Sequence, residues 1–156
     1  EAALLAWLDS GGKVDATSGA SRLTVLMIAA INGRERVVDL LLHRGADVNV
    51  QRAGVTVLMF AAYEGHERVL DLLLRHGADV NVQSGGVTAQ RSALMAAASS
   101  GYERVVDLLL QRGAEIDLQD SDGSTALMLA ADEGHERVVE LLLQRGAEVN
   151  LQNSRG

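Results

Sequence analysis

One block of sequence recurs four times, and this repetition limits the possible fold more than any other feature of the chain. The copies begin at positions 34, 66, 102 and 135, and they read RERVVDLLLHRGADVNVQ, HERVLDLLLRHGADVNVQ, YERVVDLLLQRGAEIDLQ and HERVVELLLQRGAEVNLQ. Their internal glycines, Gly45, Gly77, Gly113 and Gly146, are 32, 36 and 33 residues apart, and a partial copy, AWLDSGGKVD, precedes them. A unit of this length cannot enclose a core by itself, so the units must stack into a solenoid.

Each unit is predicted to hold two short helices and a turn. In the second helix, Val37, Leu40 and Leu41 follow helical spacing and leave a charged face opposite them, which indicates burial on one side. The first helix is apolar nearly all round, so it must be covered on two sides. A glycine follows each helix, where a left-handed residue ends a helix at least cost. The first helices also share a pair of alanines that allows close approach: Ala29-Ala30, Ala61-Ala62, Ala97-Ala98 and Ala130-Ala131.

Composition excludes several classes of protein. The 156 residues are 47% hydrophobic and 22% charged with a net charge of −7, which suits one compact domain and neither a disordered chain nor a general nucleic-acid binder. No unbroken apolar run exceeds seven residues, whereas a membrane-crossing helix needs about 20. The chain has no cysteine, so it can form no disulfide, thiolate metal site or cysteine nucleophile.

The repeated motifs resemble those of the ankyrin repeat over essentially the whole chain. They are the G-A-D-V-N ending, the L-L-L run, the A-A pair and the G-H after the first helix. The resemblance implies an all-α solenoid with β-hairpin-like fingers, built as a single domain over 1–156. We expect a partial repeat at 1–17, repeats at about 18–51, 52–83, 84–119 and 120–152, and the start of a further turn at 153–156.

Two features depart from the family pattern. The usual T-P-L-H at the start of the first helix is replaced by TVLM, TVLM, SALM and TALM, so apolar packing of the methionines is expected to substitute for it. The third unit carries extra residues between Thr88 and Leu94, which predicts a longer or distorted finger.

The chain begins at Glu1 without a visible signal peptide and closes on N-S-R-G, so it is expected to be a piece of a longer array.

No catalytic pattern is present. The sequences after His66 and His135 begin like the zinc motif H-E-x-x-H, but Leu70 and Val139 stand where the second histidine should be. These two histidines are instead expected to hydrogen-bond backbone near a helix start, and His43 and His76 to lie on the solvated face. No G-x-S-x-G, P-loop or G-x-G-x-x-G occurs, so we predict no enzyme, no cofactor and no metal site.

Positions that vary between otherwise identical units mark a candidate binding surface. The resemblance implies that they line a concave groove and finger tips that contact a protein or peptide, with drift on a solvated face as the alternative. The favoured function is a non-catalytic interaction scaffold inside the cell; the alternatives are a targeting or regulatory segment of a larger enzyme or channel, or an engineered binder. The predicted contact residues are Arg22, Leu23, Ile31, Asn32, Arg52, Val55, Tyr63, Glu64, Gln90, Arg91, Ser99, Ser100, Asp122, Ser124, Asp132 and Glu133.

The order of these residues predicts a groove with two unlike ends. Ile31 and Tyr63 make it apolar over the first two units, whereas Asp132 and Glu133 make it acidic at the fourth. A group of nearby acids, Asp120 and Asp122, is expected to add to the acidic end, and the finger arginines Arg22, Arg52 and Arg91 are expected to bind any acidic flank of the partner.

Two further expectations concern the turns and the last repeat. The resemblance implies that Asn49, Asn81 and Asn150 are acceptable to an asparaginyl hydroxylase, and the simpler alternative is that their side chains only bond the turn backbone. The last unit keeps Leu141, Leu142 and Leu143 without the polar substitutions of a terminal cap, which predicts fraying or self-association there.

Overall fold

The computed structural model of the chain describes residues 2–18, 22–85 and 90–154. After the helix of the partial repeat, helices follow in pairs, and the first helices pack on one another in order while the second helices form a parallel row beside them. This is the expected all-α solenoid. The helices are α1 Ala2–Asp9, α2 Val25–Ile31, α3 Glu35–His43, α4 Val57–Glu64, α5 Glu67–Arg75, α6 Ala93–Ser100, α7 Glu103–Gln111, α8 Ala126–Asp132 and α9 Glu136–Gln144.

The core runs through the stack as columns of equivalent residues. Most members of the alanine pairs of the first helices are covered on both sides, whereas Ala131 of α8 is exposed because no described helix packs beyond it. One leucine column of the second helices is fully buried and closes the core from the other side: Leu41, Leu73, Leu109 and Leu142, each 0% exposed.

A hydroxyl cap starts every first helix, at the Thr or Ser that opens TVLM, TVLM, SALM and TALM. The capping residue has an extended backbone, and its side-chain oxygen accepts a hydrogen bond from the methionine N–H three residues later. Met27, Met59 and Met95 are buried, as expected, while Met128 at the open end is half-buried. The caps are Thr24, Thr56, Ser92 and Thr125, with distances of 3.2, 3.2, 3.3 and 3.3 Å.

The fingers differ in length. The second is a hairpin of β1 Gln51–Arg52 and β2 Val55–Thr56, with Gln51 opposite Thr56. The third closes at a hydrogen bond of 2.8 Å from Ser84 N–H to the Arg91 carbonyl and therefore encloses residues 85–90, more than the two residues enclosed between the strands of the second finger. The expected lengthening is confirmed at its base; Val87, Thr88 and Ala89 lie outside the described residues.

A polar residue in each turn joins one repeat to the next. Asn49 and Asn81 each donate to the carbonyl of a glycine in the following unit, Gly77 and Gly113, both at 3.2 Å. The expectation that these asparagines bond turn backbone is confirmed, although the partner belongs to the next repeat; their hydroxylation stays a prediction. The turn oxygens of Asp15, Asn49, Asn81 and Asp117 also accept the N–H of Asp47, Asp79, Glu115 and Glu148 at 3.1, 2.9, 2.9 and 2.9 Å.

In repeats two, three and four, a ring covers the interhelical glycine of the repeat before it. His66 Nε2 is 2.9 Å from the Ile31 carbonyl oxygen, and His135 Nε2 is 3.0 Å from that of Ser99. These histidines hydrogen-bond backbone, as expected, but they do so at the end of the first helix of the preceding repeat and not near a helix start. Their rings lie over Gly33 and Gly101, and the ring of Tyr102 lies over Gly65.

Ion pairs link the second helices. Asp71 of α5 binds Arg75 of its own helix and Arg112 of the next repeat, and Asp107 binds Arg145 in the same way. Burial raises the pKa of Asp71, but the hydrogen bonds and positive charges of Arg112 and Arg75 together act more strongly and hold that pKa below its ordinary value of 3.8.

Removing this carboxylate is expected to have a pH-dependent effect. Asp71→Asn should lower the free energy of unfolding by about 1 kcal/mol at neutral pH. Because the pKa is lower in the folded chain than in the unfolded chain, the contribution is present above about pH 4 and disappears as the pH falls below that value. Urea unfolding of both proteins at several pH values measures it. Arg104→Gln, which removes a more exposed pair 3.9 Å from Glu67, is the control and should change stability little; an undiminished Asp71 effect in acid would contradict the assignment.

The last repeat is expected to exchange its amide hydrogens fastest. Leu143 is 43% exposed, whereas the equivalent Leu42 is 7% exposed, and Val149 is 64% exposed. With fewer buried apolar contacts, α8 and α9 should open at lower cost than α4 to α7 in the 156-residue chain. Hydrogen exchange in dilute monomer measures this, and equal protection of all four repeats would contradict it. Protection that grows with protein concentration would instead support self-association through this end.

Candidate partner-binding surface

An apolar cleft of about 370 Å³ lies between the first helices of repeats two and three. Tyr63, at the end of α4, is 58% exposed at this cleft, although most apolar side chains of its helix are buried. A concave apolar site with a few polar groups at its edge is the usual form of a recognition pocket. The lining residues are Val55, Met59, Phe60, Tyr63, Ser84, Arg91, Ser92 and Ala96.

The cleft exists because one position of the first helix differs between repeats. That position holds Ile28, Phe60, Ala96 and Leu129 in the four units. Ala96 is the smallest of them and lies beside the half-buried Phe60 across the cleft. A methyl group where the other repeats carry a branched or aromatic side chain leaves the space open.

The base of the third finger forms the rim and is held by several hydrogen bonds. Arg91 N–H donates to Ser84 Oγ at 2.9 Å, which adds to the backbone bond that closes the finger. The Gln83 amide donates to the Gln90 carbonyl at 3.0 Å and to the Gln119 carbonyl at 2.8 Å, so the base is also tied to the fourth finger. The backbone of Arg91 is thereby fixed beside the cleft.

A glycine contact locks the second finger against the third. Gly85 N–H is 3.3 Å from the Gly54 carbonyl oxygen, and a Cβ on Gly54 would lie 2.1 Å from Gly85 backbone atoms. Gly54 also has φ +79°, a conformation that side chains disfavour. Only glycine permits this approach.

The arginines divide into a paired and an unpaired set. Arg52 and Arg91, beside the cleft and its fingers, form no ion pair with any carboxylate in the part of the chain that the structure describes. Positive charge is therefore available at the apolar end of the groove. The paired arginines all lie on the second helices or directly after them: Arg44, Arg68, Arg75, Arg104, Arg112 and Arg145.

The acidic end is smaller than the sequence indicated. Asp132, Glu133 and Asp122 are exposed in repeat four, as expected. Asp120 is only 7% exposed, and its Oδ1 accepts the N–H groups of Asp122 at 2.9 Å and Ser124 at 2.8 Å. The expectation that Asp120 adds to the acidic surface is wrong, because its carboxylate is used to close the turn.

Several other predicted contact residues have structural partners. Ser124 is 9% exposed and its Oγ accepts from Asn153 Nδ2 at 3.1 Å, so its side chain lies inside the turn. The Asn32 amide donates to the Ile28 carbonyl at 2.7 Å, and Ser99 Oγ donates to the Ala96 carbonyl at 3.1 Å. Leu23 packs against the core, whereas Arg22, Glu64 and Gln90 are exposed and Ile31 and Ser100 are half-buried.

The cleft brings together three predicted residues, Val55, Tyr63 and Arg91, and adds Phe60 and Ala96, which sequence comparison missed. The sequence signal for the cleft was that one position of the first helix holds Ile, Phe, Ala and Leu in the four repeats. Because all four residues are apolar, this variation resembles the ordinary variation of a core position. The apolar end therefore lies between repeats two and three, whereas the sequence placed it over repeats one and two.

The other histidines and acidic residues of the described ranges do not form a second site. These ranges contain no group of three or more His, Asp or Glu side chains that could hold a metal ion. The rings of His43 and His76 meet edge to face at 5.3 Å, and each Nδ1 lies near the backbone carbonyl four residues earlier. Among the helices of residues 2–18, 22–85 and 90–154, none is long and apolar enough to cross a bilayer.

Comparison with known families gives one match. The family model described as ankyrin repeats (3 copies) matches residues 2–84 and again residues 85–153, which together span nearly the whole chain. No curated protein matches the chain.

Proposed function

The chain belongs to the ankyrin-repeat family, whose repeats are generally non-catalytic protein–protein interaction modules, and we propose that it binds a partner protein through the first-helix groove and the fingers. The cleft at Tyr63 is the observation that carries the proposal. An exposed tyrosine beside an apolar cavity is the arrangement typical of interface hot spots.

The charges along the groove define the kind of segment that it would bind. The partner places an apolar side chain at the cleft and Lys or Arg near Asp132 and Glu133 of repeat four. The acidic side chains of repeat four are exposed, so they contribute mainly to orientation and to the rate of association, and each contributes little affinity.

The same surface would serve a targeting or regulatory segment of a larger enzyme or channel, and it would serve an engineered binder. The uneven finger lengths favour a natural sequence, because a consensus design would repeat one turn. The spacings of 32, 36 and 33 residues include the third-finger insertion whose base forms the rim of the cleft.

Binding of selected peptides tests the groove. Random twelve-residue peptides are selected on the whole chain, and the best are titrated against variants. Tyr63→Ala should weaken binding by about 2 kcal/mol, roughly thirtyfold, because it removes the exposed aromatic contact. Asp132→Asn/Glu133→Gln should have a smaller effect that fades at high salt.

Substitutions on the opposite face are the matched control. Arg68→Gln/Arg104→Gln alters side chains that are 81% and 84% exposed on the second helices and should leave binding unchanged. If the groove variants bind like wild type and the Arg68 and Arg104 variant does not, the second-helix face carries the function.

A further inference from the structure

We propose, building on the groove function above, that the cleft of repeats two and three binds a large apolar side chain whose neighbour in the partner is a carboxylate, and that Arg91 binds this carboxylate. The partner segment is therefore acidic at its anchor. This recognition differs from that of repeat four, where the groove itself supplies the acids.

The lining of the cleft favours an apolar anchor. Val55, Met59, Phe60 and Ala96 make most of its lining apolar, and Tyr63 beside them is 58% exposed. The two serines of the lining are occupied locally: Ser92 Oγ accepts from Met95 N–H at 3.3 Å, and Ser84 Oγ accepts from Arg91 N–H. Because most of the lining is apolar, an apolar side chain loses no hydrogen bond by entering, whereas a polar anchor would lose its hydrogen bonds to water.

The charge at the rim favours an anion beside that anchor. Arg91 is the one charged residue among the lining residues, its side chain is exposed, and it has no ion-pair partner in the described ranges. Arg52 of the neighbouring finger is likewise without a carboxylate there. A guanidinium binds a carboxylate through two parallel hydrogen bonds, so a partner with Asp, Glu or a chain-terminal carboxylate next to its anchor complements both parts of the site.

The backbone hydrogen bonds of the finger lower the cost of this recognition. The Ser84–Arg91 pair, the Gln83 amide and the Gly54–Gly85 contact hold the base of the finger before any partner binds. Fewer backbone degrees of freedom are then lost on binding. The backbone of Arg91 and the apolar cavity are fixed relative to each other, so the carboxylate of the partner should lie within one arginine side-chain length of the anchor.

The peptides selected above test this directly. Their shared sequence should hold one large apolar residue with Asp or Glu within about two positions of it. Arg91→Gln should weaken binding by about fivefold at low salt and less at high salt, and Glu→Gln or Asp→Gln in the peptide should cause the same loss. Combining both changes should cause no additional loss, because each removes the same contact.

A second experiment fills the cleft with a larger side chain. Ala96→Leu places in repeat three the residue that repeat four carries as Leu129, and circular dichroism checks that the variant folds before its binding is measured. Binding should fall by at least about tenfold. Arg104→Gln on the second-helix face is the control for loss of one arginine.

The outcomes separate this inference from the groove function. The inference is overturned if binding of the peptides requires Tyr63 but the peptides lack an acidic residue. It is also overturned if they bind the Arg91→Gln and Ala96→Leu variants as tightly as wild type. Either result leaves the groove function in place. Peptides that bind independently of Tyr63, or a selection that yields no binding peptide, overturn both.

Discussion

Leu109→Ala should lower the free energy of unfolding by about 3 kcal/mol, which is the largest effect that we expect from a single truncation. Leu109 lies in the middle of the stack, is 0% exposed and belongs to the buried leucine column of the second helices. Repeats on both sides hold the surrounding side chains in place, so the cavity cannot collapse and the lost contacts are not recovered. Urea unfolding followed by circular dichroism measures the change.

Leu143→Ala is the matched control. It makes the same chemical change in the same L-L-L motif, but Leu143 is 43% exposed, so the loss should be below about 1 kcal/mol. Equal losses for the two variants would show that burial along the stack does not decide stability.

Gly101→Ala should be the second severe substitution, lowering the free energy of unfolding by about 2 to 3 kcal/mol. Gly101 ends α6 with φ +78°, and an added Cβ would lie 2.6 Å from the ring of His135. The cost therefore has two parts, the left-handed backbone and the overlap with a ring of the next repeat. The same unfolding experiment measures their sum.

Gly134→Ala separates the two parts. Gly134 has φ +75°, but a Cβ there would meet nothing within 4 Å, so only the backbone cost of about 1 kcal/mol remains. Adding His135→Ala to Gly101→Ala should recover stability relative to the sum of the single changes, since it removes the overlapping ring. Additive losses would mean that the ring does not restrict the glycine.

The groove could be found in part from the sequence. Tyr63 stands out because it varies where the flanking residues repeat, and Arg91 because it lies in the one finger with extra residues; the structure places both at the cleft. Asp120 was misplaced because an acidic residue in a turn has the same sequence signature whether it faces solvent or accepts backbone N–H groups. Ala96 was missed because its contribution is the space beside it, and that space depends on Phe60 in another repeat.

The sequence by itself determined the architecture. The repeat, the helical spacing of Val37, Leu40 and Leu41, and the glycines after each helix are local signals, and each acts within one unit of about 33 residues. A unit too small to enclose a core has to stack, so the solenoid follows without knowledge of any contact between units. The hydroxyl caps were not predicted, although Thr or Ser stands three residues before the methionine in every unit.

Only the tertiary structure decided what happens between units. His66 reaches the Ile31 carbonyl, Asn81 bridges to the next turn, and Phe60 faces Ala96, and these partners are 32 to 36 residues apart. Sequence periodicity places equivalent residues in register but does not specify the distance between unlike side chains on neighbouring repeats. That distance, set by how closely the paired alanines let the first helices pack, decides which surface residues meet at a cleft and which are used to hold the stack together.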